Sequence, residues 1–308
     1  MRFVSAATFS LFKLGYRLTQ SDGRLASRRF DDTPPDAKLE LDGTGRLVNE
    51  PKILEVIEDK DRRLTFAYYD SSLSHTFWRA QEFSLFKRAS AAFEYPTLDF
   101  GCGDGSFSAS ILDRIDFGID IDKSALAVAR GYNIYGSLLT FDQMMREIPD
   151  GSVGTVFSCS ALEHTSDLDA CLKEIARVLR PGGKAYISVP GPGLTEQMTA
   201  LIDRPFADAM NSYMYHRNLL PENDWRRRLE NLSLRVTGFT SFQPIEFTRR
   251  YFCFSLFGNR GLGHIPGLAT VRKLLWRILR RTMFRDVTAS IDNPRAGDAN
   301  FFIIATKT

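Results

Sequence analysis

Short, almost continuously apolar runs alternate along much of this chain with longer stretches whose apolar positions recur every three or four residues. Runs of strand length fall at 96–100, 116–121, 154–159, 184–189, 233–240 and 300–306, with a shorter one near 134–140. Helical periodicity joins the first four of the long runs, and a further helix is expected over 72–93, leading into the first of them. Strands alternating with helices predict a parallel, doubly wound α/β sheet. Pro181-Gly182-Gly183 ends a helix over 166–180 and turns the chain into the next strand. Residues 1–70 read as an N-terminal extension, with a loop at Asp31-Asp32-Thr33-Pro34-Pro35-Asp36 and a turn at Asp42-Gly43-Thr44-Gly45. The main domain is expected over 71–308, interrupted by insertions at 191–230 and 243–298. The first insertion leaves the carboxyl end of a strand, where ligands bind in such sheets. The second is too long to be structureless inside a compact domain.

The most informative stretch is Thr97-Leu98-Asp99-Phe100-Gly101-Cys102-Gly103-Asp104-Gly105-Ser106. An apolar strand runs into three glycines at alternate positions, and a helix follows. Glycine permits a close approach of ligand to backbone, and a helix start offers free N–H groups. The spacing is neither G-x-G-x-x-G nor a Walker loop, for no lysine follows Gly105. A second strand ends at Asp120, suitably placed to grip ribose hydroxyls. Loop and acid together imply an adenosyl ligand without a pyrophosphate.

The blocks that follow carry a family resemblance. Leu98–Gly105 is succeeded by Gly118-Ile119-Asp120-Ile121, then by Phe141-Asp142 with Ile148-Pro149-Asp150-Gly151-Ser152. Next come Ala161-Leu162-Glu163-His164 and Ile175-Ala176-Arg177-Val178-Leu179-Arg180-Pro181-Gly182-Gly183. In this order they resemble the class I S-adenosylmethionine-dependent methyltransferases, especially the subgroup acting on quinones and other small molecules. The resemblance covers about residues 75–240 and the last strand. It implies a Rossmann-like seven-stranded sheet, mostly parallel with an antiparallel last strand, plus helical insertions.

It also implies S-adenosyl-L-methionine as cofactor and a set of residues around it. Asp99 would orient the amino group, and Gly101, Cys102, Gly103 and Gly105 would floor the methionyl and ribosyl portions. Asp120 would accept the ribose hydroxyls and Ile121 would pack on adenine. Asp142 would accept the adenine amino group, with Gln143 or Met144 on the same wall. Taken singly, Asp120 and Asp142 are equally strand-end or helix-cap carboxylates; in register with the loop they point to the cofactor. Ser160 reads equally as a contact to the methionyl part or as a helix cap. His164 is the candidate catalytic residue, as a base toward a substrate hydroxyl, although the Glu-His pair belongs to the family pattern whether or not it acts so. His216 is a second candidate base against a default of loop histidine. His75, Phe77, Trp78 and Arg79 fit a helix folded over the cofactor, or ordinary packing of an aromatic face.

Four cysteines without C-x-x-C spacing suggest neither a disulfide framework nor a zinc site, which suits a reducing cytoplasm. No metal-ligand cluster is visible in the sequence, so no metal is expected. The N-terminus lacks a long apolar core with a cleavage site and is expected to be retained. The net charge is only +3 but is unevenly spread. Arginines and lysines crowd the first thirty residues and a late segment, where 271–284 shows helical periodicity with a basic face. That pattern fits either an anionic membrane surface or a solvated face packed on its own domain. The leading reading is methyl transfer to a small-molecule or lipid-linked acceptor. A nucleic-acid methyltransferase is the alternative prompted by the arginines. Against it, Ser158-Cys159-Ser160-Ala161 lacks the Asn/Asp-Pro-Pro-aromatic motif, and no Pro-Cys nucleophile is evident. A cofactor-binding protein without turnover is the third reading.

Overall fold

A computed structural model describes residues 55–58, 64–68, 73–255, 291 and 294–308, with side chains placed from residue 77 to 253, at 291 and in the last of these stretches. The expected turns before residue 50, the His75 side chain and the basic segment 271–284 lie outside the described residues.

The first elements are an antiparallel pair, β1 (Glu55–Glu58) and β2 (Leu64–Tyr68), followed by helix α1 (Leu73–Ala89). The central sheet then builds from β3 (Thr97–Phe100), α2 (Ser106–Ala109), β4 (Ile115–Ile119), α3 (Lys123–Arg130) and β5 (Tyr135–Leu139). It continues through α4 (Phe141–Glu147), β6 (Val153–Cys159), α5 (Leu168–Val178) and β7 (Leu179–Pro190). Three helices fill the first insertion: α6 (Pro192–Leu201), α7 (Arg204–Tyr213) and α8 (Glu222–Glu230). Strand β8 (Leu234–Phe242), helix α9 (Ile245–Ser255) and strand β9 (Asn300–Lys307) close the fold.

The seven strands lie in the order β5-β4-β3-β6-β7-β9-β8. All neighbours are parallel except β9, which runs antiparallel to both β7 and β8. The expected doubly wound sheet with an antiparallel last strand is therefore observed. Alternation along the inner strands divides two cores. Val156, Ile187 and Ile303 face one side, against Leu172 and Ile175 of α5 and Trp225 of α8. Phe157, Tyr186 and Phe302 face the other, against Phe83 and Phe86 of α1. Burial on both faces is why these strands read as apolar runs rather than as alternating ones.

Some boundaries differ from expectation. Helix α5 starts at an Asp167 cap, whose carboxylate accepts the Ala170 N–H at 2.9 Å. It ends at Val178, and β7 already begins at Leu179, opposite Val153. Register is lost until Lys184 pairs with Thr155, so residues 180–183 bulge outward between two paired stretches. Helices α6, α7 and α9 share a third apolar cluster with Leu194, Met198, Phe206 and Phe252. Gln197 joins both insertions: its amide donates to the carbonyls of Gln243 and Gly297, and its Oε1 accepts the Thr248 hydroxyl at 2.6 Å.

Candidate functional site

Register sets the site. Phe100 pairs with Ile119, and Ile119 with Leu139, so Gly101, Asp120 and Thr140 leave the sheet along one edge. That edge is the carboxyl end of the parallel strands. The strand order reverses between β3 and β6, which opens the ligand crevice of such sheets there.

The three glycines do different work. Gly101 has φ +80°, and a Cβ on it would lie 2.2 Å from the Cβ of Ala161. Its N–H and that of Cys102 donate to the Ile119 carbonyl at 2.8 and 2.9 Å, and the Cys102 side chain is buried. Gly105 has φ +77° and packs on Ala129 of α3 and the Tyr135 ring. Gly103 differs: its φ is +54°, and a Cβ there would meet nothing within 4 Å. So the loop touches protein at its two ends and faces open space at its centre.

Asp120 borders that space. Its Oδ2 accepts the Gly103 N–H at 2.8 Å and its Oδ1 the Asp122 N–H at 2.9 Å. Each carboxylate oxygen has a second lone pair left. The next residue, Ile121, is 86% exposed, far beyond what burial of apolar surface favours for an isoleucine. Asp142 is exposed in the first turn of α4, where the helix dipole favours an acid. Gln143 closes a capping box, its Oε1 accepting the Thr140 N–H at 2.9 Å. Met144 is fully buried in the main core, away from the wall assigned to it from the sequence.

Asp99 lies deeper. Its Oδ2 accepts the Ser108 hydroxyl at 2.5 Å and the Tyr135 hydroxyl at 2.7 Å. The Tyr135 ring reaches it across Gly118, the residue paired with Asp99 in the neighbouring strand. Burial pushes the Asp99 carboxyl up to about 7 despite those two donors.

Beyond β6 the chain bends sharply. Ser160 adopts φ +49°, donates its N–H to the Ser188 carbonyl at 2.9 Å, and gives its hydroxyl to Glu82 Oε1 at 2.5 Å. Glu82 is fully buried; it also accepts the Ser188 hydroxyl at 2.8 Å and pairs with Arg79 at 2.9 Å. Arg79 further reaches the Cys159 sulfur at 3.1 Å. Thus Arg79 supports the site from beneath, Phe77 is core stacked on Phe247 at 4.3 Å, and Trp78 packs edge-on against Phe247 and Tyr251. The sequence reading missed Glu82 and Ser188. The one available signal was a glutamate amid the apolar run of a helix.

A second polar group lies past Ala161, the residue packed against Gly101. Glu163 is buried, and its Oε2 has no hydrogen-bond partner among the described residues. Burial pushes this carboxyl up to about 8. His164, 41% exposed, turns Nε2 to 3.6 Å from Glu163 Oε1 and Nδ1 to 3.3 Å from the Tyr215 carbonyl. The His216 ring stacks on that of His164 with centroids 5.5 Å apart. Burial lowers the basicity of both imidazoles, with the backbone of Tyr215 opposing this at His164. The charge of His164 adds to it at His216, which falls to about 4. The first insertion delivers His216: Arg217 and Asn218 N–H groups bind the Glu163 carbonyl, and the Asn218 amide binds Leu162 and Thr165 carbonyls.

Comparisons with known proteins agree with this architecture. Residues 98–187 match a family described as methyltransferase domain. Over 106 residues the chain is 34% identical to malonyl-[acyl-carrier protein] O-methyltransferase of Yersinia pestis, covering 34% of this chain and 40% of that protein. Over 99 residues it is 32% identical to a ubiquinone biosynthesis O-methyltransferase of Pseudomonas aeruginosa, covering 30% and 42%. The chain thus spans about two fifths of the length of these relatives. The fold is similar to a crystal structure from Thermotoga maritima described as an S-adenosylmethionine-dependent methyltransferase, possibly a histamine N-methyltransferase. The TM-score is 0.50 with 14% identity, over 77% of this chain and 92% of that one. Residues 98–187 thus match a methyltransferase domain, set on a seven-stranded sheet whose fold is shared with the Thermotoga maritima structure.

Proposed function

We propose that this protein transfers the methyl group of S-adenosylmethionine to a small-molecule or lipid-linked acceptor. The observation that carries the reading is the open space over Gly103, bordered by the Asp120 carboxylate and the uncovered Ile121 side chain. A ligand that lies against backbone, offers vicinal hydroxyls and ends in an apolar ring system fits this cradle. The cofactor, when bound, supplies a methyl carbon made electrophilic by a sulfonium, so the protein's part is binding and alignment. Asp120 would hold the ribose hydroxyls with the lone pairs its two N–H partners leave free. Ile121 would cover one adenine face, and Asp142 would meet the adenine amino group from the start of α4. Asp99, fixed by Ser108 and Tyr135, would set the floor beneath the amino-acid portion. Ser160, bound to Glu82, fixes the bend that opens the wall.

His164, next to Glu163 on the same wall, would receive a proton from an acceptor hydroxyl. Its lowered basicity favours a neutral imidazole at pH 7, the form a general base requires. The names of the two O-methyltransferase relatives support a small or carrier-linked acceptor. The basic, helically periodic sequence of 271–284 supports contact with an anionic membrane surface. No helix among the described residues is long and apolar enough to cross a membrane.

The test is calorimetry with S-adenosylmethionine on the purified full chain. Binding at micromolar concentration is expected, and Asp120→Ala should weaken it at least tenfold. Labelled cofactor incubated with small-molecule and lipid extracts should yield a tagged product by mass spectrometry. Unchanged affinity in Asp120→Ala would refute the ribose contact.

A further inference from the structure

We propose that Glu163, His164 and His216 form a binding site for one divalent transition-metal ion of the Zn2+ or Co2+ type, set beside the cofactor loop. One potential ligand atom from each of the three residues lies within 4.8 Å of the others. Hydrogen bonds explain which atoms converge. His164 points Nδ1 at the Tyr215 carbonyl, an acceptor. His216 points Nδ1 at Asn211 Oδ1, 3.2 Å away. The Asn211 amide nitrogen is already committed to the Thr195 hydroxyl at 2.8 Å, which fixes the asparagine so that its oxygen faces the ring. Both imidazoles therefore carry their proton on Nδ1 and keep the Nε2 lone pair free. An outer carbonyl or amide oxygen that orients a ligand histidine in this way is the usual support of a metal site.

The convergence also leaves something unsatisfied. The His164 Nε2 lone pair faces Glu163 Oε1 at 3.6 Å, too far for a hydrogen bond. Glu163 Oε2 is buried and has no hydrogen-bond partner among the described residues. Leaving a buried carboxyl oxygen without a partner is costly. A cation would give Oε2 a partner and displace the proton that burial favours on this carboxyl. Tetrahedral ligation at about 2.1 Å sets ligand atoms roughly 3.4 Å apart. The Glu163–His164 pair is close to that spacing already, and a small side-chain movement brings in the third ligand.

Two imidazoles and one carboxylate favour a borderline ion over Mg2+ or Ca2+, which prefer all-oxygen shells. Three protein ligands leave at least one open position, the pattern of catalytic rather than structural zinc. Ala161, two residues before Glu163, touches Gly101 of the cofactor loop. An ion here would occupy the His164 Nε2 lone pair, so with the ion bound it is the metal, not that imidazole, that would favour the deprotonated oxygen of an acceptor beside the hollow. This last consequence rests on the methyltransferase reading; the site itself does not.

The experiment uses the full chain, stripped with chelator and titrated with Co2+ by visible absorption, with Zn2+ as competitor. S-adenosylmethionine affinity is measured in parallel. One Co2+ per chain with intense ligand-field bands is expected, displaced by Zn2+. His216→Ala and Glu163→Gln should each weaken binding at least tenfold, whereas Glu222→Gln, at the start of α8 and paired with Arg226, should leave it unchanged. Should Glu163→Gln fail to fold, His216→Ala carries the test alone. Absent ligand-field bands, or equal loss in Glu222→Gln, would overturn the proposal. Cofactor binding without Co2+ binding overturns the metal site alone, and the reverse overturns the cofactor reading alone.

Discussion

Replacing Gly103 with alanine separates a cradle from a turn. The local penalty follows from the backbone: at φ +54° an L side chain costs about 1–2 kcal/mol. Nothing lies within 4 Å of the added Cβ, so no packing cost is added in the free protein. Gly182 supplies the matched control. Its φ is +79°, its Cβ would also meet nothing within 4 Å, and it sits in the bulge of 180–183, away from the loop. Gly103→Ala and Gly182→Ala should therefore lower stability alike, by a few degrees in Tm for a domain of this size. Only Gly103→Ala should lose cofactor affinity. A methyl placed where a ligand rests against backbone costs about 1–3 kcal/mol, which is roughly fivefold to 150-fold in Kd. Gly101→Ala should behave in a third way. Its Cβ would stand 2.2 Å from that of Ala161, so it should destabilise the fold well beyond the other two. Differential scanning calorimetry and isothermal titration with S-adenosylmethionine read both quantities. Full affinity in Gly103→Ala, or an equal affinity loss in Gly182→Ala, would refute the assignment of the open space to the cofactor.

Glu82→Ala removes the buried acceptor of the Ser160 and Ser188 hydroxyls and the ion partner of Arg79. It should cost about 3–5 kcal/mol in urea denaturation, and a loss below 1 kcal/mol would show that the cluster adds little. Asp99→Asn should alter the pH dependence of stability. The folded carboxyl titrates near 7 against 3.8 for an ordinary one, so between those values the folded state holds a proton the unfolded state has lost. Stability from this group is then lost as pH rises from about 4 to about 7, and levels off above. The difference between wild type and Asp99→Asn should shift against wild type by on the order of a few kcal/mol across that window. A difference that stays flat from pH 4 to 8 would refute the buried, protonated state.

The legible parts of the fold were those with local signatures. Strand positions came from apolar runs of the right length, because strands covered on both faces need no polar alternation. The glycine loop and Asp120 were visible because a tight turn and a strand-end acid occur at fixed spacing. The early start of β7 at Leu179 was hidden, since Pro181-Gly182-Gly183 reads as a stop whether it ends a strand pairing or interrupts one. Met144, the alternative to Gln143 on the adenine wall, is core. In a seven-residue helix, one position decides which face a side chain takes, and only packing against the sheet settles it. Gln143, expected as a cofactor contact, commits its Oε1 to the α4 cap.

Composition, periodicity and motif spacing determined that this chain folds as a doubly wound sheet with a glycine loop at its edge. Such features are written within a few residues of each other and repeat along the chain. Tertiary structure alone decided which glycine faces open space, which carboxylates are buried, and that Glu163 and His164 meet His216. Those facts depend on contacts between residues dozens of positions apart, from Glu82 with Ser188 to the insertion loop that brings His216 over Glu163. No local pattern encodes such a meeting, because its geometry exists only once the sheet has set its register and the helices have packed upon it.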